Sequence, residues 1–374
     1  MPSKIRQPGL RVIERVFIEG NEAIARGATL AGCQAFFGYP ITPQNEIIEW
    51  FAREFPQMGR VFVQSQSELG SINMVYGAAA AGVRAMTSTS GPGWSLMQET
   101  MSALANAELP CVVVNVQRGG PGGGTIRHAQ QDYLQCTRGG GHGDYRNIVL
   151  APASPQECCD LIQLAFHLAD KYRNPVVVLL DAIIGRLREV VELRKLDFGP
   201  VPDKEWAVRG RGEHKDGRRR IVEHSSDLFG RDPDYLTLLR RLGQKMRQMQ
   251  EVEVRYENYE AEEAELILVA FGYAARVAKE AVNQARVEGV KVGLLRPITL
   301  WPFPREIIKE KARQGCQFLV VEDSLGQMVE DVEFAVEGRA EVHLVSVLDR
   351  HIPTDGGMIF PERVLEKILE LERG

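Results

Sequence analysis

Short apolar runs alternate with segments of helical periodicity over the first half of the chain. This alternation predicts parallel strands joined by helices, which form an α/β sheet. Two of the runs, 110–116 and 174–180, are apolar almost throughout, as is typical of strands covered on both faces. The predicted strands are 35–38, 60–64, 84–89, 110–116 and 174–180, and the predicted helices are 20–32, 68–82, 95–105 and 155–172.

The pattern changes near residue 190. Residues 191–263 are rich in charge and carry no strand-like run, and a helix begins at 232–234. One apolar stripe at helical spacing, which we interpret as core or partner-facing, comprises Leu239, Leu242, Met246, Met249 and Tyr256. Four strand-like runs follow, at 265–271, 291–295, 317–322 and 341–347. The predicted units are an α/β domain at 11–190, a charged linker with an amphipathic helix at 191–263, and a second α/β domain at 264–374.

Composition excludes several classes of function. Hydrophobic residues make up 44% and charged residues 25%, which is typical of a folded globular protein. A net charge of −5 gives no general attraction to nucleic acid, and the basic cluster at 215–220 is predicted to be a solvated loop rather than a phosphate site. No apolar run reaches the ~20 residues of a membrane helix, and the start of the chain carries no signal-like apolar segment. We therefore expect a cytoplasmic protein without membrane or nucleic-acid partners.

The six cysteines are scattered, and none forms a C-x-x-C pair. We expect buried, reduced thiols and no metal site on this chain. If the protein takes part in redox chemistry, an iron–sulfur centre must then lie on another chain.

Four loops that follow predicted strands hold most of the unusual residues. The loops are 39–44, 64–68, 88–93 and 118–125. Because the carboxyl ends of parallel strands meet at one edge of a sheet, where ligands bind, we expect these loops to lie together.

Glu68 is the strongest candidate for chemistry in these loops. It follows a predicted strand at the start of a helix, where the helix dipole favours an ionised carboxylate. The alternative is structural, since Ser65 and Glu68 fit the S-x-x-E capping box, in which the glutamate only bonds a backbone N–H.

Three further positions also carry two interpretations. Arg118 precedes a glycine-rich loop and either clamps an anionic ligand or forms a surface salt bridge. His142 is either a proton relay or a loop histidine with a structural hydrogen bond. Gly272 gives only a weak indication of a nucleotide site, and no P-loop or G-x-G-x-x-G motif is present.

Three motifs in these loops resemble a known family. They are Gly38-Tyr39-Pro40-Ile41-Thr42-Pro43, Gln66-Ser67-Glu68 and Thr89-Ser90-Gly91-Pro92-Gly93. Their order and spacing resemble the 2-oxoacid:ferredoxin oxidoreductases, and more closely the separate α subunit of the multi-subunit forms. The stretch 119–146 resembles the branched-chain (3-methyl-2-oxobutanoate) type, which is often labelled as a 2-oxoglutarate enzyme, and 322–328 extends the resemblance to the last domain. The implied fold is a pyrimidine-binding-type parallel-sheet domain of thiamine-diphosphate enzymes, followed by a transketolase C-terminal-like α/β domain.

The resemblance also implies roles for individual residues. Glu68 matches the catalytic glutamate that bonds the aminopyrimidine ring of thiamine diphosphate, and Thr42 matches a catalytic threonine beside the substrate. Arg118, Thr42 and Tyr39 would bind the substrate. The implied cofactor-binding residues are Glu68, Pro40, Ile41, Ser90 and Gly91.

Two absences are explained by the same resemblance. The chain lacks the Gly-Asp-Gly and downstream Asn that hold the diphosphate and its metal, since Gly143-Asp144-Tyr145 has no second glycine. It also lacks cysteines spaced to bind a cluster. The resemblance implies a β subunit that holds the diphosphate and Mg2+, with [4Fe-4S] clusters on partner subunits, and small γ and ferredoxin-like δ subunits. The implied reaction is CoA-dependent oxidative decarboxylation of a branched-chain 2-oxoacid or 2-oxoglutarate to acyl-CoA and CO2, with electrons passed to ferredoxin.

Two alternatives stay open at this point. The chain could be a non-catalytic scaffold subunit of such a complex, although Glu68, Thr42 and Arg118 occur together, which a decayed site would not require. It could also be a component of another thiamine-diphosphate enzyme, against which the motif at 39–43 counts.

Overall fold

The computed structural model describes residues 12–222, 235–349 and 358–373. Its strands are β1 Glu14–Glu19, β2 Ala35–Gly38, β3 Val61–Gln64, β4 Ala85–Thr89, β5 Cys111–Gln117, β6 Ile148–Leu150, β7 Pro175–Asp181, β8 Arg188–Leu193, β9 Tyr256–Tyr259, β10 Leu266–Ala270, β11 Val292–Pro297, β12 Thr299–Trp301, β13 Gln317–Val321 and β14 Val342–Val345. Its helices are α1 Gly20–Leu30, α2 Asn45–Glu54, α3 Glu68–Ala80, α4 Gly91–Asn106, α5 Tyr133–Arg138, α6 Pro155–Tyr172, α7 Ala182–Arg186, α8 Tyr235–Val252, α9 Gly272–Val287, α10 Arg305–Arg313, α11 Met328–Val336 and α12 Pro361–Arg373.

A seven-stranded sheet forms the first α/β layer, in the order β12-β6-β7-β5-β4-β2-β3. All neighbouring strands are parallel except β12, which pairs antiparallel with β6. Every residue of β5 and β7 is buried, and their register joins Cys111 to Pro175 and Gln117 to Asp181. These two strands confirm the prediction drawn from their uninterrupted apolar runs, because helices cover both faces of the sheet.

The second sheet has five strands in the order β14-β13-β10-β11-β9. Three of its four strand pairings are parallel. The fourth joins β9, at the edge of the sheet, antiparallel to β11. The predicted α/β class is therefore confirmed for both halves of the chain.

Several elements differ from the sequence prediction. Tyr256 lies on β9 and not on the helical face, because α8 ends at Val252; the predicted start of that helix lies outside the described residues. The strand β8 extends into the stretch predicted to lack strands, since it pairs only with β1 in a two-stranded ribbon and its alternate residues are charged or exposed. The short strand β12 is an exception to the predicted division at 264, because it adds an edge to the first sheet.

A polar joint connects the two sheets. The buried carboxylate of Asp181 ends β7, caps α7 by accepting from the Ile184 N–H at 2.9 Å, and accepts from the Tyr273 N–H at 2.8 Å. Burial raises the pKa of Asp181, whereas the Ile184 and Tyr273 N–H groups and the Gln130 amide lower it. Gln130 also donates to the Phe271 carbonyl oxygen at 2.9 Å. The carboxyl edge of the second sheet is thus packed against the first.

Other sequence predictions are confirmed at the surface and in the core. All six cysteines are buried and free. The basic cluster at 215–220 lies in a surface loop, in which Arg220 bonds Asp216 at 3.1 Å. Within the described ranges, we find no helix that combines the length and the apolar character needed to cross a membrane.

Candidate active site

The four predicted loops converge as expected. They follow β2, β3, β4 and β5, which lie side by side in the first sheet. The structure brings Thr42, Arg118 and the Ser90–Gly91 turn together through contacts described below. Glu68 joins them through its packing against α4.

Glu68 is the first residue of α3, and its side chain is 6% exposed. The helix is capped by Ser67, whose hydroxyl accepts from the Gly70 N–H at 3.2 Å. The capping-box interpretation of Glu68 is therefore wrong: the Ser65 N–H, which the glutamate would have bonded, donates to the Gly38 carbonyl oxygen at 2.9 Å. No described residue hydrogen-bonds the Glu68 carboxylate, so this buried acid is available to a ligand.

The start of α4 is shaped around this carboxylate. A side chain at Gly93 would lie 2.5 Å from Glu68 Oε1 and would also overlap the Thr89 hydroxyl, so only glycine fits. The hydroxyls of Thr89 and Ser90 are buried and have no hydrogen-bond partner within the described residues. A buried acid beside the unsatisfied Thr89 hydroxyl, with the unsatisfied Ser90 hydroxyl on the next residue, is a polar arrangement that a protein rarely leaves without a ligand or water.

Hydrogen bonds from neighbouring elements hold the segment that contains Thr42. The Gln44 amide donates to the Tyr39 carbonyl oxygen at 3.1 Å, and the Ser88 hydroxyl donates to Gln44 Oε1 at 2.5 Å. The Thr42–Pro43 peptide is cis, and the Asn21 amide donates to the Pro43 carbonyl oxygen at 2.8 Å. Sequence reasoning placed Gln44 and Ser88 in the predicted loops but gave them no supporting role, and it missed Asn21, which lies outside the loops.

Tyr39, Pro40, Ile41 and Thr42 are all at least partly exposed at this edge. Tyr39 has 36% of its surface exposed. They are positioned to contact a ligand or another chain rather than the core of this one.

Arg118 connects two of the loops. Its guanidinium donates to the Thr42 carbonyl oxygen at 3.0 Å and to the Gly123 carbonyl oxygen at 2.8 Å. Its Nε–H is buried without a partner in the described part of the chain. The surface-salt-bridge interpretation fails, since no described carboxylate forms an ion pair with Arg118. The unused Nε–H and adjacent Nη–H groups can still hold a carboxylate.

Asp132, which the sequence did not indicate, lies beside Arg118. Its Oδ2 accepts from the Asn115 amide at 3.0 Å. Burial raises the pKa of Asp132 to about 6, while the bonds from Asn115 and the Gly91 N–H and the charge of Arg118 lower it.

A cleft of about 520 Å³ lies between Arg118, Asp132 and Gly91 on one side and the second domain on the other. Residues of the first domain line one wall, and Leu325 and Gln327 line the other. Gln327 spans the cleft by donating to the Gln131 carbonyl oxygen at 2.8 Å and accepting from the Leu134 N–H at 2.9 Å.

Two other candidates lie elsewhere. His142 is exposed and does not line the cleft. Gly272 has φ +58°, and a side chain there would lie 2.7 Å from the Gln130 amide nitrogen. The glycine permits contact between the domains and leaves no room for a nucleotide.

These residues fit one half of thiamine diphosphate. A buried carboxylate beside the unsatisfied Thr89 hydroxyl suits the aminopyrimidine ring. The diphosphate needs a divalent cation and its oxygen ligands, and no group of three acidic, histidine or cysteine side chains that could hold a metal occurs in the described ranges.

Comparison with known proteins identifies the family of both domains. A family described as "Pyruvate flavodoxin/ferredoxin oxidoreductase, thiamine diP-bdg" matches residues 26–265, and "Pyruvate:ferredoxin oxidoreductase core domain II" matches residues 264–364. The fold and site therefore define a thiamine-diphosphate-binding domain with a companion α/β domain. The chain belongs to the 2-oxoacid:ferredoxin oxidoreductases, as a subunit.

Two relatives show how far this similarity extends. Ketoisovalerate oxidoreductase subunit VorB of Methanothermobacter marburgensis is 50% identical over 95% of this chain and 97% of its own length. The 2-oxoglutarate synthase subunit KorA of Methanothermobacter thermautotrophicus is 40% identical over 96% of this chain and 100% of its own length.

Two solved structures share the fold. The 2-oxoglutarate:ferredoxin oxidoreductase of Magnetococcus marinus, with 2-oxoglutarate, coenzyme A and succinyl-CoA bound, superposes with a TM-score of 0.83 and 27% identity over 95% of this chain. This chain spans 65% of that longer one. A split-gene transketolase, an inactive β4 tetramer, matches with a TM-score of 0.58 at 15% identity over 94% of this chain and 97% of its own, which supports the fold alone.

Proposed function

We propose that this chain is the α subunit of a CoA-dependent 2-oxoacid:ferredoxin oxidoreductase, in which Glu68 and Thr42 act in catalysis. The observation that carries the proposal is the buried Glu68 carboxylate, which lies against Gly93 beside the unsatisfied hydroxyl of Thr89. Thiamine diphosphate, when bound, supplies the electron sink that allows a 2-oxoacid to lose CO2.

Glu68 would hold a proton shared with a ring nitrogen of the aminopyrimidine. Its burial excludes water, which strengthens that hydrogen bond. Pro40, Ile41, Ser90 and Gly91 would surround the ring.

Arg118 would bind the carboxylate of the 2-oxoacid. Two of its five N–H groups bond the Thr42 and Gly123 carbonyl oxygens, so its Nε–H and a neighbouring Nη–H can grip a carboxylate without breaking either bond. The Thr42 hydroxyl would then donate to the substrate carbonyl oxygen, and Tyr39 would cover the substrate from the exposed side.

The rest of the reaction belongs to partner subunits. A β subunit would hold the diphosphate and Mg2+, and [4Fe-4S] clusters on β or on a ferredoxin-like δ subunit, beside a small γ subunit, would pass electrons to ferredoxin. The substrate would be a branched-chain 2-oxoacid or 2-oxoglutarate, as in the names of the two relatives, with CoA as the acyl acceptor. The reduced thiols of this chain suit the cytoplasm.

Glu68→Gln tests the proposal in the complex reconstituted with its partner subunits. The amide keeps the size of the side chain but cannot hold the shared proton in the same way. We expect 2-oxoacid-dependent viologen reduction and the exchange of the cofactor C2 proton, followed by NMR, both to fall at least about a hundredfold.

Glu99→Gln is the matched control, since Glu99 is an exposed glutamate on α4 and should leave both rates unchanged. If Glu68→Gln exchanges the C2 proton at the normal rate, the catalytic role of Glu68 is wrong and the chain is a scaffold. If the wild-type complex needs lipoamide rather than a low-potential acceptor, another thiamine enzyme is the correct assignment.

A further inference from the structure

Asp132 is an ionisable group of the cleft that has no part in the proposed chemistry. It precedes α5, and its Oδ2 accepts from the Asn115 amide at 3.0 Å. A second hydrogen bond comes from the backbone N–H of Gly91, the first residue of α4. Asp132 therefore contacts the turn that carries the Ser90 hydroxyl.

The same carboxylate lies next to the arginine of the site. A side chain built at Gly91 would be 3.6 Å from Arg118 Cγ and 3.9 Å from Asp132 Oδ2, so the three groups meet at one point. Gly91 has φ +31°, in the region that favours glycine. Two residues further on, Gly93 packs against Glu68. A movement of this turn would displace Glu68 and Arg118 together.

The charges around Asp132 are few. Arg118 is the only cation among the described residues that acts on it, and no described residue forms a salt bridge with it. The Cys136 thiol on α5 faces the same region, and burial keeps its pKa well above the ordinary value, so it stays neutral. Asn115, Gln117, Gly91 and the second-domain residues Leu325 and Gln327 carry no charge.

A neutral side chain would fill this place at lower cost. An asparagine has the same shape, and its amide oxygen can accept from Asn115 and Gly91. Burial without a salt bridge penalises the carboxylate, which is why the pKa of Asp132 rises to about 6. A costly charge held between two functional groups is typical of a site that serves activity rather than stability.

We propose that Asp132 is a positioning residue, whose ionised carboxylate holds the Ser90–Gly93 turn and the Arg118 guanidinium in one arrangement. This inference rests on the proposed function. Protonation of Asp132 removes the charge that attracts Arg118 and weakens the bond from Gly91, so the site loosens as the pH falls.

The test compares Asp132→Asn and Asp132→Glu with the wild type in the reconstituted complex, using 2-oxoacid-dependent viologen reduction between about pH 5 and about pH 8. We expect wild-type kcat/KM to fall below a pH of about 6. Asp132→Asn should lower kcat/KM by about tenfold at the alkaline end and should flatten the profile through this range, because the ionising group is gone. Asp132→Glu should retain an acid limb.

A second measurement separates positioning from a structural role. Thermal unfolding of the same complexes near pH 8 should give Asp132→Asn a Tm equal to or above that of the wild type, since a partly buried charge without a salt bridge has been removed. Asp203→Asn makes the same chemical change at an exposed site and should alter neither the profile nor the Tm.

Two outcomes overturn the inference. An Asp132→Asn profile that keeps the wild-type acid limb assigns the titration to another group. A lower Tm for Asp132→Asn near pH 8 makes the carboxylate structural. A wild-type complex without any 2-oxoacid-dependent activity would instead refute the proposed function, and the Tm comparison alone would then decide whether Asp132 is a charge kept at the expense of stability.

Discussion

Replacing Gln130 with alanine should weaken the joint between the two sheets more than any other single loss of an uncharged side chain there. Gln130 is fully buried. Its Nε2 donates to the Phe271 carbonyl oxygen at 2.9 Å and to Asp181 at 3.3 Å, and its Oε1 accepts from the Asp323 N–H at 3.1 Å. One side chain thus bonds three groups on both sides of the joint.

The magnitude follows from what the substitution leaves behind. The Phe271 carbonyl and the Asp323 N–H each lose the bond from Gln130 while staying buried, and such losses cost about 1–3 kcal/mol each. Loss of the amide donor also raises the pKa of Asp181 further, because the Gln130 bond lowers it at present. Since the Gln130 backbone N–H keeps its 2.8 Å bond to the Asp323 carbonyl oxygen, the total should be about 3–5 kcal/mol.

Guanidinium unfolding of the purified chain measures this loss. Gln135→Ala is the matched control, since Gln135 is only half-buried and bonds the single hydroxyl of Ser95 at 3.1 Å. We expect Gln135→Ala to cost less than about 1 kcal/mol, and Gln130→Ala to split one transition into two as the domains unfold separately. Equal losses for the two variants would refute the view that Gln130 couples the domains.

Three further predictions concern the site itself. Arg118→Lys should raise KM for the 2-oxoacid at least about thirtyfold, at a cost of about 2–5 kcal/mol in binding, because an ammonium cannot bond Thr42, Gly123 and a carboxylate in one plane; an unchanged KM would remove Arg118 from the substrate site. Ser67→Ala and Ser154→Ala should each cost about 1 kcal/mol of stability, because they remove the N-caps of α3 and α6. Only Ser67→Ala should also lower kcat, since Glu68 is the next residue; equal kcat values for the two variants would contradict this link. Asp132→Asn should become more stable than the wild type as the pH rises from 3.8, the ordinary aspartate pKa, to about 6. The reason is that a carboxyl whose pKa is raised in the folded state destabilises that state when it ionises. The difference, measured as Tm against pH, should reach about 3 kcal/mol at most above this range and vanish below it.

The parts of the fold that the sequence predicted are those set by local pattern. β5 and β7 were predicted because burial on both faces demands an uninterrupted apolar run. The convergence of the four loops followed from parallel strands alone. By contrast, β12 has three residues and pairs with β6 from a distant part of the chain, so no local pattern marks it as part of the first sheet.

The same division holds for the site. The spacing of Ser65 and Glu68 fits a capping box, but the backbone assigns the cap to Ser67, whose hydroxyl accepts from the Gly70 N–H, whereas the Ser65 N–H bonds Gly38. Gln44, Asp132 and Gln130 are polar residues that each bond at least one partner far along the chain. Their roles depend on tertiary contacts, which spacing does not reveal.

The placement of β12 has a consequence for dissecting this polypeptide. A fragment cut near residue 264 would lack the outermost strand of its own sheet, and β6 would present bare amide and carbonyl groups to solvent. Exposed strand margins of that kind recruit strands from other molecules. The first half of the chain is therefore not a self-contained module, and truncation at the apparent domain boundary should yield a product that self-associates.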